Sequence, residues 1–256
     1  MGNYQHIKII EDGGAIRLVF SRAPLNVLNI AMMREVNAAL AEIRKNRSAK
    51  VLIIAAEGKA FSAGVDVSEH TANKVGEMMK EFGGIFTSLQ EITIPVIAIV
   101  EGAALGGGCE VAIFCDMIIA SEKAKFGQPE ILVGVFPPIA AAIMPRLIKR
   151  NRALELLMTG DTISATEAER IGLINKVFPV EGFADKANEF IGKITRQSKI
   201  ILEMTKRAVD MGLGMPVMEA IHRAEKYYLD DMMKTQDANE GLSAFIEKRP
   251  PVWKNK

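Results

Sequence analysis

The chain has 256 residues, 49% hydrophobic, 25% charged and 6% aromatic, a globular composition that excludes disordered, collagen-like and disulfide-stapled classes. At roughly 150 residues per domain, that length suits one large domain or a domain with a helical appendage. With 32 Lys and Arg against 31 Asp and Glu and no basic run, nucleic acid is not an expected partner.

A membrane is not expected either, because the longest stretch without charge, Ile131 to Pro145, contains Pro137, Pro138 and Pro145 and falls short of the ~18 apolar residues of a span. The first residues, MGNYQHIKIIEDGG, have no apolar signal core, and Met1-Gly2 lacks the following Ser or Thr of a myristoylation motif, so the expected location is cytoplasmic. The histidines His6, His70 and His222 are scattered and no CxxC or HxxxH spacing occurs, so no metal is expected.

In chain order, apolar runs rich in β-branched residues predict strands at Ile16–Phe20, Val51–Ala56, Pro95–Val100, Met117–Ala120 and Leu173–Phe178. Helical periodicity falls between them, over Ile30–Arg44, Val75–Gln90, Gly107–Cys115, Ile139–Lys149, Arg152–Thr159 and Ala165–Ile171, the last capped by Ser164. Strands alternating with helices indicate an α/β fold with parallel pairing. From Phe183 the pattern is helical almost throughout, with Ile200–Met211, Pro216–Lys234 and Asp237–Lys248 ahead of a Pro250-Pro251 stop. A core over residues 1–182 and a helical region over 183–256 are therefore expected, the latter packed on the core or on a neighbouring subunit. Cys109 and Cys115, about 240° apart if that stretch is helical, cannot bridge and read as reduced core residues. The paired methionines Met32, Met33, Met78, Met79, Met232 and Met233 read as core or interface filler, and Trp253 as a packing anchor.

Chemistry is most legible in AIVEGAALGGGCEVAIFCDMIIA, where a buried strand runs into Gly106-Gly107-Gly108 and then a nearly all-apolar helix. Three glycines cost backbone entropy unless something approaches the main chain, and the N–H groups at a helix start favour a developing anion. A tight turn with close helix packing is the alternative, and a P-loop is excluded by the missing GK[ST] ending. Glu110 sits among Cys109, Val111, Ala112, Ile113 and Phe114, where a buried carboxylate is costly and its pKa rises. Glu130, between Pro129 and Ile131-Leu132-Val133, carries the same anomaly, and two such acids fit general acid/base work. Lys59–Asp66 follows the strand Val51–Ala56 as the triple glycine follows Pro95–Val100, so two strand ends offer backbone N–H groups of the kind an oxyanion hole uses. His70 remains open between a contact at this site and a loop residue bonded to backbone.

These segments, together with RAPLNVLN at Arg22–Asn29, KFGQPEILVGVFP at Lys125–Pro137 and MTGDTISATEAERIGLINKV at Met158–Val177, resemble the enoyl-CoA hydratase/isomerase (crotonase) superfamily over nearly the whole chain. The resemblance implies a spiral of ββα repeats, a C-terminal helical region that covers the active site and mediates oligomerisation, and trimers that often pair into hexamers. It implies oxyanion donors at the N–H groups of Val65 and Gly107, catalytic carboxylates at Glu110 and Glu130, and no cofactor, coenzyme A being part of the acyl-CoA thioester substrate. The CoA moiety and acyl group would be bound along Arg22, Ala23, Leu25, Ala63, Asp66 and Val67, with Phe136 and Pro138 at the acyl end and Arg22 and Lys248 as candidates for the phosphates. Keeping both glutamates favours a hydratase over isomerases and hydrolases of the superfamily, and over an idle CoA-binding scaffold. Pro138 stands where ordinary 2-enoyl-CoA hydratases have a glycine, which removes a backbone donor and stiffens the acyl pocket. With GVDVSEH at Gly64–His70 and the C-terminal YYLDDMMKTQDANEGLSAFIEKRPPVW, the chain is most similar to the cyclohexa-1,5-diene-1-carbonyl-CoA hydratases of anaerobic aromatic degradation.

Overall fold

A computed structural model describes Gly2 and residues 4–256. The chain opens with a hairpin of β1 (Ile7–Asp12) and β2 (Ala15–Phe20), closed by Gly13-Gly14 with φ of 54° and 84°. The helix α1 (Ile30–Ile43) follows, its first turn capped by the Asn29 side chain, which accepts the Met32 N–H at 3.0 Å. The chain then repeats one pattern three times. First come β3 (Val51–Ala56), β4 (Ala60–Ser62) and α2 (Val75–Gln90), then β5 (Val96–Val100), β6 (Ala103–Leu105) and α3 (Gly107–Phe114). The third repeat is β7 (Met117–Ser121), β8 (Lys125–Gly127) and α4 (Pro138–Leu147).

Each repeat places its long strand in one sheet and its short strand in another. The six-stranded sheet has the order β1-β2-β3-β5-β7-β10, where β10 is Lys176–Phe178, and is parallel apart from the β1–β2 hairpin. The four-stranded sheet is β4-β6-β8-β9, with β9 (Thr162–Ser164) antiparallel to β8. This is a spiral of ββα turns, with α5 (Arg150–Thr159) and α6 (Ala165–Arg170) flanking β9.

Alternation along the long strands explains the layers. Leu52, Ile54, Val96, Ala98 and Val100 face a core shared with α1, α2 and α3, while Val51, Ile53, Ile97, Ile99 and Ile119 face the other way. That second face is covered by α7 (Phe183–Thr195) through Phe183, Ala187 and Ile191. Each fully buried Val, Leu, Ile or Phe side chain among these contributes about 1.5–3 kcal/mol. Phe86 meets both Phe82 and Phe114 edge-on, at ring distances of 4.9 and 5.1 Å, and so fixes α2 against α3.

The C-terminal helices are attached differently. On α8 (Lys199–Gly212), Lys206 pairs with Asp116 at 2.7 Å, and the same carboxylate accepts the Val96 N–H. The buried Asp237 of α10 (Gln236–Ile246) accepts the Lys254 and Asn255 N–H groups and the Ser198 hydroxyl, which pins the tail. Between them α9 (Val217–Asp230) has no buried residue. The helix expected over Pro216–Lys234 breaks at Asp231 into α9 and a 3₁₀ turn at Met232–Lys234.

Candidate active site

The site is assembled where the first two repeats pass from sheet to helix. After β4, Leu28 and Val65 form an isolated parallel bridge, in which the Leu28 N–H donates to the Gly64 carbonyl at 2.8 Å and the Asp66 N–H to the Leu28 carbonyl at 3.0 Å. Those bonds use the groups on either side of Val65, so its own N–H points away from Leu28 and has no acceptor among the described residues. After β6, Gly106 (φ 51°, ψ −130°) turns the chain into α3, and the N–H of Gly107 at the first helical position is likewise free.

Contacts at the three glycines show why no side chain is tolerated there. A Cβ on Gly106 would lie 2.7 Å from Glu130 Oε1, one on Gly107 would lie 2.6 Å from Val65 Cγ2, and one on Gly108 would lie 2.5 Å from Ser62 Cβ. The close approach expected from the sequence is therefore made by three different neighbours, and it sets the Val65 turn directly against the start of α3.

Glu130 reaches this turn, and Glu110 follows it on α3. Glu110, 2% exposed, is one helical turn beyond Gly106, and its Oε1 accepts the Ile139 and Ala140 N–H groups at 2.8 Å each. It thereby caps α4, whose first residue, Pro138, has no N–H to offer. Burial and the charge of Glu130 push the Glu110 carboxyl up to about 7, against the two N–H bonds. Glu130 is half-buried on a 3₁₀ turn (Pro129–Val133) that ends at Gly134 in the left-handed region. Its Oε2 is buried without a partner, and burial raises its pKa while the charge of His70 lowers it.

The remaining candidates fall into two groups. The Arg22–Leu25 turn lies against the Ala63–Val67 segment, because the Ala63 N–H donates to the Leu25 carbonyl at 2.9 Å. The Arg22 guanidinium bonds the Val27 carbonyl, and the Ala23–Pro24 peptide within the turn is cis. The Asp66 carboxylate accepts from both the N–H and hydroxyl of Ser68, which holds its pKa below the usual range, while Val67 is 66% exposed. Phe136 is also exposed, two residues ahead of Pro138. No hydrogen bond or ion pair among the described residues joins Lys248 to Arg22–Leu25; the Lys248 N–H closes the turn after α10 onto Phe245.

Two braces were not expected. Asn26, fully buried at φ 51°, donates to the Glu57 and Ala60 carbonyls, and the Ser62 hydroxyl donates to the Asn26 carbonyl at 2.8 Å. The Asn in APLNVLN was the available signal, since Asn adopts left-handed backbone more readily than most residues.

Free N–H donors from two turns facing two desolvated carboxylates can stabilise negative charge on a carbonyl oxygen while a proton moves nearby. A sequence profile of the enoyl-CoA hydratase/isomerase family matches residues 11–256. The chain is 38% identical over 250 residues to a probable mitochondrial enoyl-CoA hydratase of Dictyostelium discoideum, covering 96% of this chain and 90% of that one. It is 34% identical over 245 residues to the cyclohexa-1,5-dienecarbonyl-CoA hydratase of Thauera aromatica, covering 96% and 95%. Its fold superposes on the crystal structure of an enoyl-CoA hydratase from Bacillus anthracis with a TM-score of 0.93 at 32% identity, over 98% of this chain and 100% of that one.

Proposed function

The chain belongs to the enoyl-CoA hydratase/isomerase family, and from that premise we propose that it adds water reversibly across the conjugated double bond of an α,β-unsaturated acyl-CoA thioester. The observation that carries this reading is the pair of N–H groups at Val65 and Gly107 without acceptors among the described residues, with the desolvated Glu130 against Gly106 and the desolvated Glu110, which feels its charge, one helical turn beyond.

In this reading the thioester carbonyl accepts the N–H groups of Val65 and Gly107, and a water lies between Glu110 and Glu130. The ionised glutamate takes one proton of the water as its oxygen bonds the β-carbon. The π electrons move toward the thioester oxygen, where the two donors stabilise the enolate. The protonated glutamate then delivers its proton to the α-carbon, so one C–O and one C–H bond replace the π bond. The Glu110 carboxyl, pushed up to about 7 by burial and the charge of Glu130, and Glu130, raised by burial, are the two groups between which the proton is passed in this reading. The reaction draws on no resident cofactor, coenzyme A arriving with the substrate.

One observation favours a finer reading, the hydration of a cyclic dienoyl-CoA such as cyclohexa-1,5-diene-1-carbonyl-CoA to 6-hydroxycyclohex-1-ene-1-carbonyl-CoA. Pro138 removes the first N–H of α4, and Glu110 occupies the next two, so this helix start has no donor left with which to hold a water. The product hydroxyl stands on the ring carbon next to the one bearing the thioester, the β position as in crotonyl-CoA, so what differs is the rigid flat ring and its second double bond, which call for a differently held water. Similarity to the Thauera aromatica protein supports the same reading. Assaying the dienoyl ester and crotonyl-CoA side by side, by mass spectrometric gain of water and on protein dialysed against EDTA, tests both levels. Turnover of neither ester would overturn the hydratase reading, and a higher kcat/KM on crotonyl-CoA would overturn the finer one.

Self-association as a trimer or hexamer belongs to the same proposal. It is supported by α9, which buries no residue yet exposes Val217, Met218, Ile221, Tyr228 and Leu229. A monomeric mass by light scattering would remove it.

A further inference from the structure

Three consecutive glycines leave the direction of the Gly107 N–H without intrinsic stiffness. That direction is set by rotation about the Gly106 backbone, which stands at φ 51° and ψ −130°, and glycine resists such rotation less than any other residue. A donor stabilises charge only if it is aimed before the charge develops, so neighbouring atoms must hold what the chain does not. Upstream the backbone is fixed, the Gly106 N–H donating to the Gly127 carbonyl at 2.9 Å. At Gly107 itself, a Cβ would meet Val65 Cγ2 at 2.6 Å and then Cζ and Cε2 of Phe82 at 3.0 and 3.2 Å.

Val65 belongs to the other donor turn and moves with it. Phe82 comes from the middle of α2 and is buried. Its ring is met edge-on by Phe86, which in turn packs on Phe114, the last residue of α3. The position of α2 is fixed one residue before Phe82, where Asn37 of α1 donates its Nδ2 to the Glu81 carbonyl at 2.9 Å. Gly84 makes room for that side chain, since a Cβ there would lie 2.9 Å from the same nitrogen. A glycine in a helix interior is destabilising, and this close approach is what it serves.

We propose that Phe82 is a positioning residue for the Gly107 donor. Its ring edge, held from α1 through α2, fills the space where a Gly107 side chain would be and stops the peptide from turning its N–H out of the site. The proposal rests on the reading of Gly107 as a donor to a thioester carbonyl. Without the ring, the glycine peptide can swing and one donor of the pair is weakened. The loss falls on kcat more than on KM, because charge on the thioester oxygen is greatest as the enolate forms.

The test compares Phe82→Leu with Phe86→Leu, which remove a ring from successive turns of α2, only the first of them opening space at Gly107. The direct readout is the absorption of para-dimethylaminocinnamoyl-CoA bound to the protein, whose maximum moves to longer wavelength as its thioester oxygen is polarised. Phe82→Leu should lose about half of the wild-type shift and lower kcat by about 5- to 30-fold, short of the loss of a whole donor, with KM within about twofold, whereas Phe86→Leu should keep the shift and hold kcat within about threefold. Circular dichroism checks that both are folded, and Phe82→Met, which keeps volume without the flat ring edge, is read beside Phe82→Leu. A full wild-type shift in the folded Phe82 variants, or equal losses in Phe82→Leu and Phe86→Leu, would overturn the proposal. A wild-type protein that shifts the probe but hydrates no ester would end the hydratase reading and leave the Phe82 comparison to decide this one. A wild-type protein that binds the probe without shifting it would overturn the donor role and the proposal together.

Discussion

The two walls of the site are built by opposite means. The donor wall, Asn26–Leu28, Ser62–Val65 and Gly106–Gly108, is packed closely, so that a Cβ on Gly106, Gly107 or Gly108 would collide and Asn26 and Ser62 hold carbonyls in place. The acid wall, Pro129–Ala140, hangs its carboxylate from a short 3₁₀ turn and leaves Leu132, Val133 and Phe136 between 65% and 72% exposed. Partial charges on N–H groups act only if their direction is fixed, which demands dense packing. A carboxylate that must gain and lose a proton needs a dry but adjustable setting, and its neighbours decide substrate fit. Loss of a donor in the first wall should therefore cost turnover most, and substitution in the second should change chemistry or preference while the fold stands.

The sharpest break comes from Gly107→Pro, which deletes a donor N–H and should lower turnover by about 100- to 1,000-fold, since one such donor is worth roughly 3–4 kcal/mol of barrier. Gly107→Ala adds the Cβ that would press on Val65 and Phe82 but keeps the N–H, so the gap between the two variants in turnover reads the donor. Circular dichroism must show both folded; a folded Gly107→Pro protein with normal turnover removes Gly107 from the site.

On the acid wall and its partner, Glu110→Gln and Glu130→Gln should each lower kcat by at least ~100-fold while leaving CoA-ester binding by calorimetry nearly unchanged. Near-wild-type turnover in either would rule out the paired-carboxylate mechanism.

A smaller effect separates stability from activity. With Glu110 raised from 4.5 to about 7 in the folded protein, the native state keeps a proton that the unfolded chain has released between those values. Stability is then lost as pH rises through that window, by about 3 kcal/mol for a shift of that size. Glu110→Gln carries no such loss, so urea unfolding should find the variant gaining on wild type between about pH 4 and pH 8; a pH-independent difference would contradict the burial argument.

The mildest outcome belongs to Cys109→Ser. Its thiol is buried and neutral and takes no part in the proposed proton transfers, so kcat should stay within about threefold of wild type.

Much of the scaffold was legible because it rests on local patterns. Val51–Ala56 and Val75–Gln90 lie where apolar runs and helical periodicity put them, and the cap at Ser164 accepts the Glu167 N–H. The strand β1 does not stand out in the sequence although Gly13-Gly14 is a strong hairpin signal, because the core-facing side of IKIIED has only Ile7 and Ile9 before Glu11 ends it, too short an alternation to mark a strand. The three-residue strands β4, β6, β8 and β9 carry no periodicity at all and exist through pairing with one another. In the site, Glu110, Glu130 and the triple glycine stood out as anomalies of composition. The braces Asn26 and Ser62 did not, since a polar residue in a turn is ordinary until its burial is known.

By itself the sequence determined which residues had to be paid for: acids set among apolar neighbours, and glycines where a helix would prefer alanine. Those costs are local and can be read from neighbours along the chain. Only the tertiary structure decided that the Val65 turn lies against Gly107, that Glu130 reaches Gly106, and that Glu110 caps a helix 28 residues further on. Those contacts arise because successive ββα turns stack their strand ends in one place. The register between parallel strands is set by side-chain packing across the sheet, which no window of sequence contains.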